Sequence, residues 1–123
     1  MPCPSALGAD RFEGPTVVDL RTPRATYDTF LRSIMRRRPD MLWRSVHPDL
    51  RFYLRRLYLR EGEHLFFQRM TSDVACGGRT PRLGSPQEAG PGRLTCPVLQ
   101  DGIPVGVAGF QVHDGTWLLS LLA

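Results

Sequence analysis

Apolar residues recur with helical spacing in the first half of the chain and with alternating spacing in the second half. Behind Thr22 and Pro23, the apolar positions fall at i, i+3, i+4, i+7 and i+8, as along one face of an α-helix. These positions are Tyr27, Phe30, Leu31, Ile34 and Met35. Thr22 is a favourable N-cap and Pro23 suits the first helical position, so the pattern predicts a helix over residues 23–38, ended by Pro39.

Two further helices are predicted before the pattern changes. Pro39-Asp40 begins a short helix that ends before His47-Pro48, and Pro48-Asp49 begins a third helix over residues 48–60. The apolar stripe of the third helix consists of Leu50, Tyr53, Leu54, Leu57 and Tyr58. Residues 63–70 add one or two helical turns after the interruption at Gly62.

The second half of the chain has the alternation and the turn residues of a β-meander. Residues 76–92 are rich in Gly and Pro and indicate a long loop, with a short strand near residues 80–83. Three strands are then predicted at residues 93–99, 103–112 and 116–122. Asp101-Gly102 and Asp114-Gly115 are strong hairpin signals between them. The apolar phase slips by one residue near Ala108-Gly109, which indicates a β-bulge at Gly109.

This order of elements predicts an α+β fold. Residues 1–15 are expected to be a flexible N-terminal tail, and residues 16–123 a single domain near the commonest domain size. In that domain the N-terminal helices pack in a curved antiparallel β-sheet, a cone, which finishes in the C-terminal β-meander. The bulge supports this arrangement, because a bent strand allows a sheet to wrap around a helix.

The last strand is apolar on both faces, which predicts association. In a regular strand, Trp117, Leu119 and Leu121 would point to one face, and Leu118 and Leu122 to the other. Only one of these faces can meet the helices, so the other needs a cover. We therefore expect a homodimer through the sheet, with Leu118 and Leu122 in the interface.

Positive charge is concentrated in the helical half. All sixteen basic residues are Arg and the chain has neither Lys nor Asn, a bias that GC-rich codons explain without any functional choice of Arg. Residues 21–60 carry a net charge of +8, whereas the rest of the chain carries −4. A basic helical face can bind nucleic acid, an anionic membrane or an acidic partner. A merely solvated surface is the simpler interpretation, so we expect no nucleic-acid partner and no membrane.

The cysteines indicate neither a metal site nor a disulfide framework. The spacing of Cys3, Cys76 and Cys96 matches no zinc or redox motif, and their odd number favours reduced thiols. The first residues lack the apolar segment of a secretory signal, and the apolar C-terminal strand is too short to span a bilayer. We expect a cytoplasmic protein with no metal and no cofactor.

Several short motifs resemble those of the nuclear-transport-factor-2-like superfamily. The matching segments are Thr22–Thr26, Phe30-Leu31, Arg38–Asp40, Leu42-Trp43, His47–Leu50 and Asp114–Leu119. The resemblance covers residues 16–70 and 93–123. It implies a curved sheet around the first helix, a pocket at the mouth of the cone and, often, a dimer through the sheet. The Gly- and Pro-rich stretch at residues 76–92 departs from the family pattern, so the early strands are expected to be short or missing.

The resemblance also raises the question of catalysis. Members of the superfamily include isomerases, dehydratases and polyketide cyclases, and the enzymes commonly place an Asp or a His-Asp pair on strands that face the pocket. In this chain the interiors of the three predicted strands contain no Asp, Glu or His. We therefore expect no catalytic residue.

Three functional hypotheses follow. The first is a non-catalytic domain that binds a small apolar ligand or another protein, and its pocket residues would be Tyr27, Trp43, Tyr53, Tyr58, Gln111 and Trp117. The second is an enzyme of the isomerase, dehydratase or cyclase kind that acts on a small apolar carbonyl compound, with His47 or a loop carboxylate such as Asp73 as its acid–base group. The third is a nucleic-acid binder, which would use Arg51, Arg55, Arg56 and Arg60.

Overall fold

The structure is a computed structural model and describes residues 18–75 and 81–123. In these ranges four helices precede a curled antiparallel sheet, which confirms the predicted α+β fold. The helices are α1 (Pro23–Met35), α2 (Pro39–Ser45), α3 (Pro48–Glu61) and α4 (Glu63–Ala75). The strands are β1 (Arg82–Leu83), β2 (Gln87–Gly90), β3 (Arg93–Gln100), β4 (Ile103–His113) and β5 (Thr116–Leu122). The predicted tail at residues 1–15 lies outside the described residues, as do residues 76–80 of the predicted loop.

Helix α1 begins as its sequence predicts. The side chain of Thr22 accepts a hydrogen bond from the backbone N–H of Ala25 at 3.0 Å. Behind this cap the predicted stripe from Tyr27 to Ile34 is buried. The helix ends three residues before the predicted boundary at residue 38, because Arg37 adopts a positive φ of 54° and leaves the helical conformation.

Removal of the Thr22 cap gives the first testable expectation. Thr22→Ala should lower the free energy of unfolding by about 0.5–2 kcal/mol, since one N–H of the first turn loses its acceptor. Urea denaturation would measure the loss. The control is Thr71→Ala within α4, where alanine is the better helix former and stability should hold or rise. An unchanged denaturation midpoint for Thr22→Ala would show that the cap is not stabilising.

Helix α4 is longer than predicted. Gly62 ends α3 with a positive φ of 89°, and its N–H donates to the carbonyl of Tyr58 at 2.9 Å. The chain then re-enters helical conformation at Glu63 and continues for thirteen residues. One glycine thus separates two full helices, whereas the sequence predicted only one or two helical turns after Gly62.

The strands form one antiparallel sheet in the order β1-β3-β4-β5, with β2 also paired to β3. Strands β3, β4 and β5 are the predicted meander. Both hairpins turn through two consecutive residues of positive φ, Asp101-Gly102 and Asp114-Gly115, as Asp-Gly turns do. The Gly- and Pro-rich segment contains two short strands, of which β2 was not predicted.

The predicted irregularity near Gly109 is present, but its extra residue belongs to β5. Phe110 pairs with Leu119 and Gly109 pairs with Leu121, so Ser120 has no partner on β4. This bulge reverses the alternation of the last strand. Leu119 and Leu122 consequently lie on the core side. The prediction that Leu118 and Leu122 share one face is therefore wrong, because it assumed a regular strand.

Other parts of the chain cover the free edge of β5. The N–H of His47 donates to the carbonyl of Leu119 at 2.7 Å, and the N–H of Trp117 donates to the carbonyl of Leu20 at 2.8 Å. The buried hydroxyl of Thr26 donates to the carbonyl of Trp117 at 2.6 Å. These bonds leave little of this edge free for pairing with another strand.

The core lies between the helices and the inner face of the sheet. Helix α1 contributes Phe30 and Ile34, and the sheet contributes Ala108, Phe110 and Leu119, all fully buried. No helix within residues 18–75 and 81–123 has the length and apolar composition needed to cross a bilayer.

Candidate functional site

Two of the six predicted pocket residues are packed in an aromatic cluster. Trp43 and Tyr58 meet edge to face with ring centroids 5.6 Å apart. Phe66 lies against both rings, at 6.3 Å from Trp43 and 5.4 Å from Tyr58. Burial raises the pKa of Tyr58, and the nearby carboxylate of Glu63 raises it further. These contacts hold α2, α3 and α4 together, so the two rings are engaged with protein on their faces and edges.

Tyr27 lines a separate hollow beside the first strand. It is buried and stacks on Phe30 with ring centroids 6.3 Å apart. The hollow measures about 240 Å³, and its described lining consists of Arg24, Tyr27, Asp28, Arg82 and Leu83. Ligand pockets usually measure about 300–1,000 Å³ and have mainly apolar walls. This hollow is smaller and more polar, so it does not fit the expected apolar ligand.

The remaining predicted pocket residues are dispersed. Gln111 follows the buried Phe110 in β4 and therefore lies on the opposite face of the sheet, away from the helices. Trp117 packs against the core from β5. Tyr53 is exposed on α3, so its assignment to the buried stripe of that helix is wrong. The structure thus brings Trp43 and Tyr58 together and leaves the other four in different places.

The acid–base candidates have local structural roles. Nδ1 of His47 accepts a hydrogen bond from the N–H of Asp49 at 3.3 Å and caps α3. Its ring centroid lies 6.5 Å from that of His113, a contact that sequence spacing could not reveal because it depends on how the β4–β5 hairpin meets α3. Asp73, which we expected in a loop, lies exposed on α4. In the part of the chain that the structure describes, no group of three or more His, Cys, Asp and Glu residues could hold a metal ion.

Cys96 is a buried thiol on the core side of β3. Burial raises its pKa, and the positive charge of Arg24 partly opposes that shift. A raised pKa keeps the thiol protonated at neutral pH, which is the unreactive form. Cys96 therefore acts as a small hydrophobic residue, as its alternation with Leu94 and Val98 predicts.

An apolar patch covers the face of the sheet that points away from the helices. We call it the outer sheet face and define it by the exposed side chains of Val107 and Leu121, together with exposed Val105 at the adjoining bulge, where β4 has one residue more than β3. A Cβ placed at Gly109 would lie 2.8 Å from the Cβ of Leu121, so this leucine lies directly over the glycine. Leu118 is on the same side of β5 but is only 5% exposed in the single chain.

The centre of the outer sheet face, around Val107 and Leu121, carries no charged side chain. Asp101, in the turn between β3 and β4, is the one residue with a charged side chain between residues 94 and 112, and residues 116–122 contain none. Arg93 pairs with Gln111 and lies at the edge of this face. Monomeric proteins seldom expose a contiguous apolar surface of this kind without a use for it.

A second exposed surface, on α3, combines apolar and basic side chains. We call it the aromatic–arginine face, and its members are Phe52, Tyr53, Arg55, Arg56, Leu59 and Arg60. The guanidinium of Arg56 lies over the ring of Phe52, with Cζ 5.9 Å from the ring centroid. A shallow hollow of about 570 Å³ borders this face, lined in the described part of the chain by Tyr53, Arg56, Leu57, Leu59 and Arg60.

The arginines of this face are among those that the sequence indicates as a basic surface, whereas its two most exposed apolar residues, Phe52 and Leu59, were not predicted. They are seven residues apart on α3, which is about two helical turns. This spacing is the feature of the sequence that indicates that both residues lie on one side of the helix.

Comparison with known proteins gives no relative from which a function could be transferred. The chain matches no family model, no curated protein and no solved structure. Membership of the nuclear-transport-factor-2-like superfamily stays a prediction that rests on the short motifs quoted above.

Proposed function

We propose that this chain is a non-catalytic binding domain that forms a symmetric homodimer through its outer sheet face. The observation that carries the proposal is the pair of exposed side chains Val107 and Leu121 on the side of the sheet opposite the core, with exposed Val105 next to them at the bulge of β4. Burial of such side chains is favourable, at about 25 cal/mol for each Å² of apolar surface removed from water.

Charge and topology both favour a second copy as the partner. A two-fold contact brings each surface against itself, so it suits a face whose centre has no charged side chain and disfavours the aromatic–arginine face, where arginines would meet arginines. The edge of β5 is already bonded to Leu20 and His47. Association by face packing is therefore better supported than extension of the sheet across that edge.

The proposed interface differs from the one that the sequence suggested. Leu118 is buried within the single chain, and Leu122 packs against the core. Because the bulge at Ser120 turns Leu121 outward, Leu121 takes the place of these two leucines in the proposal. An apolar small molecule is a weaker candidate, because the hollow beside Tyr27 is small and lined by two arginines and an aspartate.

Leu121→Glu tests the dimer. We expect the wild-type protein to have the mass of a dimer at micromolar concentrations, and the variant to have the mass of one chain, because the symmetric interface would bury two carboxylates without partners. Light scattering coupled to gel filtration would measure both masses. The matched control is Leu65→Glu on α4, since Leu65 and Leu121 are both 45% exposed.

Two results would reject the proposal. One is a monomeric wild-type protein at these concentrations. The other is a dimer that persists in Leu121→Glu, or that dissociates in Leu65→Glu instead. Circular dichroism of both variants would show that each substitution leaves the fold intact, which we expect because both positions are partly exposed.

A further inference from the structure

The outward side of α3 is built around two exposed apolar residues. Phe52 and Leu59 are 67% and 75% exposed and lie on the same side of the helix. The buried Leu54 marks the opposite side, which packs on the core. Phe52 and Leu59 thus form the crest of a helix of fourteen residues, which is about 21 Å long.

Arginines flank this crest on both sides. At 100° per residue, Arg55 lies on one flank of the Phe52–Leu59 line, and Arg56 and Arg60 lie on the other. Asp49 lies in the first turn of α3, and no other carboxylate occurs before Glu61. Glu61 does not offset the charge of the crest, because its side chain is largely covered and pairs with Arg69 at 2.7 Å.

The arginine side chains lie along the surface of the helix. Cζ of Arg56 is 5.9 Å from the ring centroid of Phe52, and Cζ of Arg55 is 5.8 Å from that of Trp43. These contacts place the guanidinium groups beside the apolar crest, with their remaining N–H donors free to meet an anionic surface.

We propose that the aromatic–arginine face binds the surface of an anionic lipid bilayer. Helix α3 would lie parallel to the membrane, with Phe52 and Leu59 inserted at the boundary between headgroups and acyl chains. Arg55, Arg56 and Arg60 would bind lipid phosphates on either side of the crest. This proposal does not depend on the dimer, since it uses a different surface and different residues. It replaces the expectation of no membrane partner, which considered the charge of the helical half without the exposed Phe52 and Leu59.

The composition of the crest favours lipid over other anionic partners. A single-stranded nucleic acid gains affinity from stacking on aromatic rings, and Leu59, the more exposed of the two crest residues, offers no ring. An acidic protein would need a groove to accept a convex helix, whereas a bilayer deforms around it. A second copy of this chain would bring the arginine flanks together.

Sedimentation with lipid vesicles tests the proposal. The full chain should bind vesicles of phosphatidylcholine mixed with phosphatidylserine, and binding to pure phosphatidylcholine should be much weaker. Leu59→Ala should weaken binding roughly tenfold, through loss of inserted apolar surface. Replacing Arg55, Arg56 and Arg60 together by Gln should weaken it roughly a hundredfold and remove the preference for the anionic lipid.

The control is Ile103→Ala in the first hairpin, where an aliphatic side chain that is 64% exposed lies away from α3. It should leave vesicle binding unchanged. The proposal is overturned if the wild-type protein does not bind the mixed vesicles, if Leu59→Ala binds as well as wild type, or if Ile103→Ala is equally impaired. Short DNA, short RNA and polyglutamate test whether any anionic polymer binds. The proposal is also overturned if one of them binds at physiological salt with an affinity that Leu59→Ala leaves unchanged, because that result would show attraction by charge alone.

Discussion

Phe30→Ala is expected to lower the free energy of unfolding by about 3–5 kcal/mol, one of the two largest effects we foresee for a single substitution. Phe30 is fully buried on α1, in the core between the helices and the sheet. Its removal loses the burial of the ring and leaves a cavity between α1 and the strands. Neighbours such as Phe110 are themselves fixed by packing and cannot fill that cavity completely.

The matched control is Phe52→Ala, which removes the same side chain from a position that is 67% exposed on α3. This variant should stay within about 0.5 kcal/mol of wild type. Urea denaturation of the three proteins at one concentration would compare their midpoints and slopes. Equal losses for Phe30→Ala and Phe52→Ala would contradict the placement of α1 in the core.

The contrast between these two phenylalanines shows which parts of the fold the sequence determines. On α1 all large apolar residues fall on one side of the helix, so their spacing has one interpretation and the buried stripe was correctly predicted. Helix α3 instead carries apolar residues on two sides. Tyr53 lies at the flank of the buried stripe, where burial depends on how far the neighbouring elements extend. That extent is a tertiary property, and the pattern placed Tyr53 inside although it is exposed.

The same limit applies to the last strand. Its residues are apolar at almost every position. The sequence therefore lacks the alternation of polar and apolar residues that would indicate which side chains face the core. The faces are set by Ser120, whose lack of a partner on β4 follows from pairing with a distant segment. The Asp-Gly turns, in contrast, were located from two residues each, because few other sequences suit consecutive positive φ angles.

The candidate surfaces were only partly predictable for this reason. The arginines of α3 were identified from local charge density, but their combination with Phe52 and Leu59 requires knowing which side of the helix faces outward. An association through the sheet was inferred from the excess of apolar residues in β5. The exposed residue on which the proposal now rests, Leu121, could not be chosen without the bulge.

Gly109→Ala is the second substitution from which we expect a large effect, a loss of about 1–3 kcal/mol from overpacking. A Cβ at position 109 would lie 2.8 Å from the Cβ of Leu121, closer than two carbon atoms can pack without movement. Neither partner can rotate away, since a Cβ is fixed by its backbone. Strand β5 would therefore have to move away from β4 at the bulge, and its bonds to the rest of the sheet would weaken.

A double-mutant cycle with Leu121 identifies the cause of that loss. Leu121→Gly removes the Cβ that the new methyl group meets, so Gly109→Ala should cost less in its presence, with a coupling energy of about 1 kcal/mol or more. Leu121→Ala keeps the Cβ and should give no such relief. Denaturation is measured at a low protein concentration, where the proposed dimer is dissociated, so that it reports the free energy of unfolding of the single chain. Additive effects of Gly109→Ala and Leu121→Gly would show that the glycine is needed for another reason, and equal relief from Leu121→Ala would place the clash farther along the leucine side chain.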